Sequence, residues 1–427
     1  MILLKKEKVN KIVAKWNNFN VKRSQSELII LGNCFNQRVQ SKKEYIIINP
    51  RVKIEVNTMD IMQDATTVER ALMARASQNR VPINGSLELL PLCNMNCDMC
   101  YVRLSREEME SQGRLRTASE WLEIAKQMQK AGVLFLLLTG GEPFLYPEFR
   151  ELYVELLKMG FILTINTNAT LIDEDLAAFL GKHKPRRVNI TLYGADEEAY
   201  TNLCHYPGGF EKTIRGIKLL KENNVDVKIG GSLTRANQQD IERIIDLGNE
   251  LDVPVRVDTY MMPATRERKM PYNLQSRVGP ERAAEIRINS LKKEMGPELF
   301  EQYVIQMHEQ VNLEKESSQN MSCFAGSCSF SINWQGEMRP CVILSKPAQS
   351  VFEVGFENAW NHITEETDKI RINKKCCTCK LRPLCRTCPA SGLLEGGAHD
   401  ALPEYMCRYA EKSYEIIKEI HEKGCYK

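Results

Sequence analysis

No run in this 427-residue chain approaches the roughly 18 apolar residues of a membrane span, so no helical membrane anchor is expected. The start, Met1-Ile2-Leu3-Leu4-Lys5-Lys6, lacks the long apolar core of a signal peptide. One-sided charge is missing too. The formal net charge is +3, and basic residues are interleaved with acidic ones, as between Lys5 and Lys11. That pattern reads as a solvated surface and gives no footprint for nucleic acid. Histidine is scarce, with six in the whole chain. Cysteine is not scarce: there are 15. Without an export signal, that number argues for metal or redox use in a reducing cytosol and against disulfides. The expected location is cytoplasmic. Hydrophobic content of 43% supports sizeable cores, and the length suggests two or three domains.

The most informative cysteines are Cys93, Cys97 and Cys100, a C-x3-C-x2-C group after the apolar run Leu87-Glu88-Leu89-Leu90-Pro91-Leu92. Three thiolates so close together can hold three irons of a 4Fe–4S cube, one soft sulfur per iron. The fourth iron is then open to a ligand that is not protein. A structural zinc site is the alternative, but it needs four ligands, usually as paired knuckles. This run supplies three, and the next histidine along the chain is His183.

About 40 residues on comes Leu136-Leu137-Leu138-Thr139-Gly140-Gly141-Glu142-Pro143, an apolar strand ending in two glycines, a carboxylate and a proline. Glycines allow close backbone approach to a ligand, and Glu142 can accept hydrogen bonds from an ammonium. A GGEP alone is more often a turn than a site. Placed after C-x3-C-x2-C, the pair resembles the radical S-adenosylmethionine (radical SAM) enzymes.

The resemblance runs through at least residues 86–261. Asn166-Thr167-Asn168-Ala169-Thr170 is similar to the family's T-N-G-T strand end, with Ala169 where glycine is common. Asn189-Ile190-Thr191-Leu192-Tyr193-Gly194 is similar to S-L-D-G, with Tyr193 in place of the acidic residue. The resemblance implies that SAM's amine and carboxylate chelate the open iron, with Gly140, Gly141, Glu142 and Pro143 around the amine. It makes Asn168, Thr191 and Ser232 candidate SAM contacts and Thr234 a weaker one. Met99 takes the hydrophobic position bordering adenine. Each polar residue could equally cap a helix.

Strands are expected near 86–91, 133–139, 161–166, 187–193, 225–233 and 254–260. Helical patterns fall at Ala118–Lys130, Glu148–Lys158, Asp173–Gly181, Phe210–Asn223 and Gln238–Leu251. Such alternation implies an α/β fold with a parallel sheet and right-handed crossovers. Six units resemble the partial (β/α)6 barrel of the family. Ligands in such folds sit at the carboxyl ends of strands, so the cysteine loop, Gly140–Pro143, Asn168 and Thr191 should share one mouth. Asp258, at the end of the sixth strand, points there too, with a salt bridge as its expected role. Residues 262–320, polar and broken by Pro263, Pro271, Pro280 and Pro297, read as a helical bridge, a partial cover over the mouth or a solvated linker.

Eight more cysteines follow: Cys323, Cys328, Cys341, then Cys376, Cys379, Cys385 and Cys388, and finally Cys407. Two knuckles, Cys376-x2-Cys379 and Cys385-x2-Cys388, could bind zinc. The layout, with Gly336 five residues before Cys341, resembles the SPASM domain that follows many radical SAM cores. Its last gap is two residues where that pattern has three. The resemblance implies auxiliary 4Fe–4S clusters on Cys323, Cys328, Cys341 and Cys388 and on Cys376, Cys379, Cys385 and Cys407, three clusters in all with the first. It assigns residues 321–427 to the SPASM domain. Cys34, Cys204, Cys377 and Cys425 remain, by default buried thiols. Cys204, after the fourth strand on the helix–loop region Tyr200–Gly209, is a candidate hydrogen-atom donor facing the mouth.

Residues 1–85 read as a small α+β domain. Strands are expected near Phe19–Lys22, Glu27–Gly32, Tyr45–Asn49 and Val52–Val56, with a helix at Thr66–Ala76. In peptide-modifying members of the family this place often holds a domain that captures a precursor peptide as an added strand; an extension packed on the barrel is the alternative. The resemblance therefore implies a maturase of a ribosomally made peptide that forms a thioether or other cross-link. Its partners would be the precursor peptide and an electron donor such as flavodoxin or ferredoxin. Formylglycine formation, as in anaerobic sulfatase-maturing enzymes, and peptide epimerisation are the alternatives, and an electron carrier without SAM cleavage is a third. Oxygen-sensitive clusters imply an anaerobe or a protected compartment.

Overall fold

A computed structural model describes residues 67–262, 276–313 and 316–424. The chain divides into two units, Met1–Ile61 and Met62–Lys427, and every described residue lies in the second. The four strands expected before residue 57, and Cys34 and Cys425, lie outside the described residues. The helix expected at Thr66–Ala76 is observed over Thr67–Gln78.

Six parallel strands form the frame: β1 (Asn84–Glu88), β2 (Phe135–Thr139), β3 (Ile162–Thr167), β4 (Arg187–Thr191), β5 (Val227–Ser232) and β6 (Val255–Asp258). Each pairs with the next in chain order. All six expected strands are present, within a few residues of their expected ends. The apolar sequences LLL of β2 and ITLY around the end of β4 are buried at alternate positions, Leu136 and Leu138, then Ile190 and Leu192, the face that helices cover.

The crossover helices form because each carries an apolar stripe and a start signal. Thr117 caps Ala118–Ala131 in a reciprocal box with Glu120, and Asp173 caps Glu174–Lys182. The first helix buries Trp121, Ile124, Ala125 and Met128 against the sheet. Between β1 and β6 two helices fall outside the expected set: Arg106–Gln112, and Glu197–Cys204, which Asp196 caps.

The sheet does not end at β1. The cysteine-rich region adds β7 (Ser329–Ile332), parallel to β1, and then antiparallel β8 (Glu337–Arg339) and β9 (Gln349–Ser350). Among the described residues the order is β6-β5-β4-β3-β2-β1-β7-β8-β9. Ser86 on β1 and Ser331 on β7 join their buried hydroxyls at 2.9 Å. The C-terminal region is thus fused to the barrel's first strand.

At the other edge, helices Pro280–Met295 and Pro297–Asn312 pack with the C-terminal helix Glu404–Lys423. The first also lies against β6, where the buried Arg287 donates to the Val257 carbonyl at 2.8 Å and pairs with Glu294 at 3.2 Å. The helix Pro280–Met295 lies on β6, and Pro297–Asn312 packs on that helix. Their apolar faces are the reason: Phe300, Val304 and Met307 are buried with Ala410 and Ile417 of the C-terminal helix.

Candidate functional site

The cysteine loop leaves β1 and crosses directly over the GGEP turn that leaves β2. The Gly141 N–H donates to the Leu90 carbonyl at 2.7 Å, and the Glu142 N–H to the Leu92 carbonyl at 2.9 Å. A Cβ on Gly140 would stand 2.4 Å from the Leu90 oxygen, and one on Gly141 would stand 2.1 Å from the Leu92 oxygen. The close approach expected at these glycines is therefore to the chain's own backbone, one residue before Cys93. The pair of glycines lets the thiol-bearing loop lie flat on the end of β2.

Glu142 is fully buried. Its carboxylate accepts from the Thr167 hydroxyl at 2.8 and 2.9 Å, from the Asn168 N–H at 2.9 Å and from the Phe144 N–H at 3.2 Å. Burial pushes its pKa up to about 7, against the pull of the Asn168, Thr167 and Phe144 hydrogen bonds. The carboxylate ties the β2 turn to the end of β3 and lies among acceptor-rich sulfur, a place where an added cation would be welcome.

Asn168 continues the network. Its amide donates to Asn94 at 3.0 Å and lies 3.7 Å from the Cys93 sulfur, while its carbonyl oxygen accepts from the Thr170 N–H and hydroxyl. Asn94 in turn donates to the Thr170 hydroxyl at 2.8 Å. Ala169, where the resembling pattern has glycine, holds a left-handed φ of 61°. The tight turn this creates aims the Asn168 amide at the cysteine loop.

The three thiols are grouped. Cys93 and Cys97 are pushed up, Cys93 to about 12, mainly by burial in its case; Cys97 is raised first by its hydrogen bond with Cys204 and then by burial. Cys93 feels both Cys97 and Cys100. Backbone N–H groups already point at sulfur: Met95 to Cys93 at 3.4 Å and Arg103 to Cys100 at 3.3 Å. Buried thiols that resist ionising, yet are met by donors, suit a bound cationic centre that holds them as thiolates. Among the described residues no three Cys, His, Asp or Glu form the tight grouping a single metal ion takes. A cube spreads its ligands over several irons, so the three-thiol loop fits that group.

The cysteine loop is held by the helix Glu197–Cys204, which starts before the helix–loop region expected at Tyr200–Gly209. The last carbonyls of Glu197–Cys204 have no partner within the helix. Cys204 accepts from the Asn96 N–H and Leu203 from the Asp98 N–H, both at 3.0 Å, and His205 pairs with Asp98 at 2.7 Å. Cys204 is completely buried there and meets Cys97. It does not face the mouth. Tyr193, just past β4, lies close to Cys97.

The other expected SAM contacts divide. Met99 is buried beside the loop, and Thr191 ends β4 half-buried. Ser232 ends β5, its carbonyl taken by Asn237. Thr234 is fully buried and spends its hydroxyl on Asn237. Asp258 is in a salt bridge, as expected, with Arg386 at 3.2 Å.

The eight later cysteines fall into two neighbourhoods. Cys341 feels Cys323 and Cys388, Cys323 feels Cys388, and Cys328 feels Cys323. Cys385 feels Cys407 and Cys376, and Cys407 feels Cys376 and Cys379. Burial raises all of these that shift, Cys328 to about 12 and Cys385 to about 11. Cys328 donates to the Met73 carbonyl at 3.5 Å, inside an apolar cluster with Ala76 and Ile83. Cys377 is turned to the Asn373 carbonyl at 3.9 Å.

Cys388 of the first group lies near the residue pair that follows β6. Tyr260, two residues past β6, feels Cys388 and donates to Glu395 at 2.8 Å; Arg277 pairs with the same carboxylate at 2.8 Å and lies 3.5 Å from the Tyr405 ring centre.

Comparison with known proteins agrees with this geometry. A family model described as Radical SAM superfamily matches residues 87–248. The chain is 24% identical over 323 residues to the AdoMet-dependent heme synthase of Methanosarcina barkeri, spanning 71% of this chain and 90% of that one. It is 25% identical over 334 residues to the antilisterial bacteriocin subtilosin biosynthesis protein AlbA of Bacillus subtilis, spanning 75% and 70%. The crystal structure of Streptococcus suis SuiB bound to precursor peptide SuiA superposes with a TM-score of 0.58 at 18% identity, covering 90% of this chain and 87% of that one, which is a likeness of fold.

Proposed function

We propose that the chain is a radical SAM maturase that oxidatively cross-links a ribosomally made precursor peptide, a reading supported by the match of residues 87–248 to the Radical SAM superfamily model. The observation that supports the oxidative part is that Cys388, grouped with Cys323 and Cys341, lies near Tyr260 just past the carboxyl end of β6. The resemblance to AlbA, a bacteriocin biosynthesis protein, supports the peptide part.

Cys93, Cys97 and Cys100 hold the SAM-binding 4Fe–4S cluster in this reading, and Glu142, Asn168 and Met99 border SAM. When bound, the reduced cluster supplies the electron that cleaves SAM to methionine and a 5′-deoxyadenosyl radical, which takes a hydrogen atom from the peptide. The chain's own residues orient the reactants. The Glu142 network fixes the cysteine loop against β2 and β3, and its negative charge favours SAM's ammonium. The auxiliary groups, Cys323, Cys328, Cys341 and Cys388 and then Cys376, Cys379, Cys385 and Cys407, offer an acceptor for the electron that a closing thioether must lose. Residues 1–85 are the proposed site of peptide capture, 86–261 the core, 262–320 the bridge and 321–427 the SPASM domain. A cytoplasmic location and a flavodoxin- or ferredoxin-type donor complete the proposal; among the described residues no helix is long and apolar enough to cross a membrane.

The test is anaerobic incubation with SAM, a reductant and the cysteine-containing peptide encoded beside the protein. Loss of two hydrogens together with a free thiol is the expected result. The same loss with all thiols retained redirects the reading to another link or to formylglycine. SAM cleavage with no change in the peptide removes the peptide assignment. The match to a heme synthase favours a second reading, action on a haem precursor, which the same assay tests with that substrate in place of the peptide. Epimerisation loses its one named hydrogen donor, because Cys204 is buried against Cys97.

A further inference from the structure

Cys328 does not lie with the cysteines that its place in the sequence groups it with. It stands one residue before β7, and the strand period puts it on the same face as Phe330 and Ile332. Helices cover that face: Phe330 packs edge-on against Phe356 and Trp360. Over Cys328 itself lies the helix Thr67–Gln78. Cys328 is fully buried with Ala76 and Ile83, and its thiol donates to the Met73 carbonyl at 3.5 Å. The Ser77 hydroxyl ties the same helix to the turn, donating to Ser327 at 2.9 Å. Both backbone groups of Cys328 are also spent. Its N–H donates to the Phe324 carbonyl, and its carbonyl accepts from the Asn84 N–H, each at 3.1 Å. The side chain cannot turn to the other face of the sheet without breaking these bonds.

The other three thiols of the group lie elsewhere. Cys341 and Cys388 pack against Leu344, Ile370 and Ala390, together with Met321, two residues before Cys323. Among the described residues this cluster shares no side chain with the one around Cys328. Cys323 is exposed and Cys341 and Cys388 are partly so, whereas water does not reach Cys328. Cys341 feels Cys323 and Cys388; Cys328 feels Cys323, five residues back along the chain, and neither of the others. We propose that Cys328 is a structural thiol of the core, and that the first auxiliary cluster is held by Cys323, Cys341 and Cys388 alone, with one iron left to a soft ligand from outside the chain. The inference rests on the reading of those three as cluster ligands. It departs from the four-thiol set that the sequence layout implied. An iron of such a centre takes a thiolate ahead of harder oxygen donors, so a thiol is the class of ligand expected there. The place of Cys328 needs no metal to explain it. A small apolar side chain with a weak donor suits a dry pocket that holds one backbone carbonyl.

The experiment reads iron content and electron paramagnetic resonance of the full-length chain, reconstituted without oxygen. Cys328→Val keeps the pocket filled and cannot bind iron. It should leave the iron content unchanged, whereas Cys341→Ala should lose about four irons, one cube. A loss of about four irons in folded Cys328→Val overturns the proposal and leaves the functional reading standing with a fully ligated cluster. The open position is tested without touching Cys328. In a chain carrying Cys93→Ala, Cys97→Ala and Cys100→Ala, the signals seen after dithionite reduction belong to the auxiliary clusters. Adding 2-mercaptoethanol should shift one of them, and adding Cys341→Ala to that chain should remove the signal that shifts. Signals that all stay where they were overturn the proposal. Should Cys328→Val fail to fold, this second measurement decides alone. A triple variant that binds no iron overturns the auxiliary clusters themselves, and with them the oxidative part of the functional reading.

Discussion

The Glu142 carboxylate accepts the Asn168 backbone N–H at 2.9 Å, and the Asn168 side chain donates to Asn94 at 3.0 Å. Through these two bonds the turn after β2, the turn after β3 and the cysteine loop after β1 are one assembly. Residues that looked like separate ligand contacts hold one another in place.

Glu142 makes the assembly sensitive to pH. Its pKa is raised from 4.5 to about 7 by burial. The folded state therefore binds a proton that the unfolded state releases near 4.5, and stability from this group is full below 4.5 and lost as pH rises through 7. The loss amounts to about 3 kcal/mol. Urea unfolding of the metal-free chain between pH 5 and 8 should show it, and Glu142→Gln should flatten the profile over that window. Parallel profiles for the two proteins would refute the assignment. The same charge should make SAM bind more tightly above pH 7 than below it.

Gly141 cannot carry a side chain. A Cβ would meet the Leu92 oxygen at 2.1 Å, so Gly141→Ala must push the cysteine loop off β2. The expected loss is ~2–4 kcal/mol, from overpacking plus two hydrogen bonds, with iron content falling alongside. Gly279→Ala, where a Cβ meets nothing within 4 Å, should change stability by less than ~0.5 kcal/mol. Normal iron loading in Gly141→Ala would show that the loop tolerates the shift.

Asn168 was expected to touch SAM, and its side chain is bound within the protein. Asn168→Ala strands Asn94 and Thr170 and should cost ~1–3 kcal/mol of stability. A residue acting only on SAM would lower SAM affinity in calorimetry and leave the unfolding midpoint alone. That second pattern would assign Asn168 to SAM alone, with no part in holding the turn.

The two carboxylates that join the barrel to the cysteine-rich region should behave differently. Asp258 is 56% exposed in its pair with Arg386, so Asp258→Asn should cost under ~1 kcal/mol. Glu395 and Arg277 are 12% and 10% exposed, and Glu395→Gln leaves a buried guanidinium facing a neutral amide. The expected cost is ~3 kcal/mol. Equal, small effects of the two substitutions in urea unfolding would mean that water reaches the Arg277 pair.

The strands and crossover helices were legible because their signals are periodic and local. The helix Glu197–Cys204 was not: it is eight residues long and its charged first turn hides a short apolar face. Yet it is the platform of the cysteine loop, and Asp196 before two acidic residues was the signal that could have found it. The strands β7–β9 escaped for a related reason. They are two to four residues long and lie among cysteines, where spacing drew the reading toward metal ligands.

By itself the sequence determined the six-strand parallel frame and the convergence of its strand-end motifs on the three-cysteine loop, because hydrophobic period and motif spacing act over a few residues. Tertiary structure decided what lies against what across long separations. It put Cys388 beside Cys323, slid Cys204 under Cys97 and laid Leu90–Leu92 on the glycines of the GGEP turn. Those neighbours follow from how buried surfaces and unpaired backbone groups find partners, and a linear spacing carries no record of that choice.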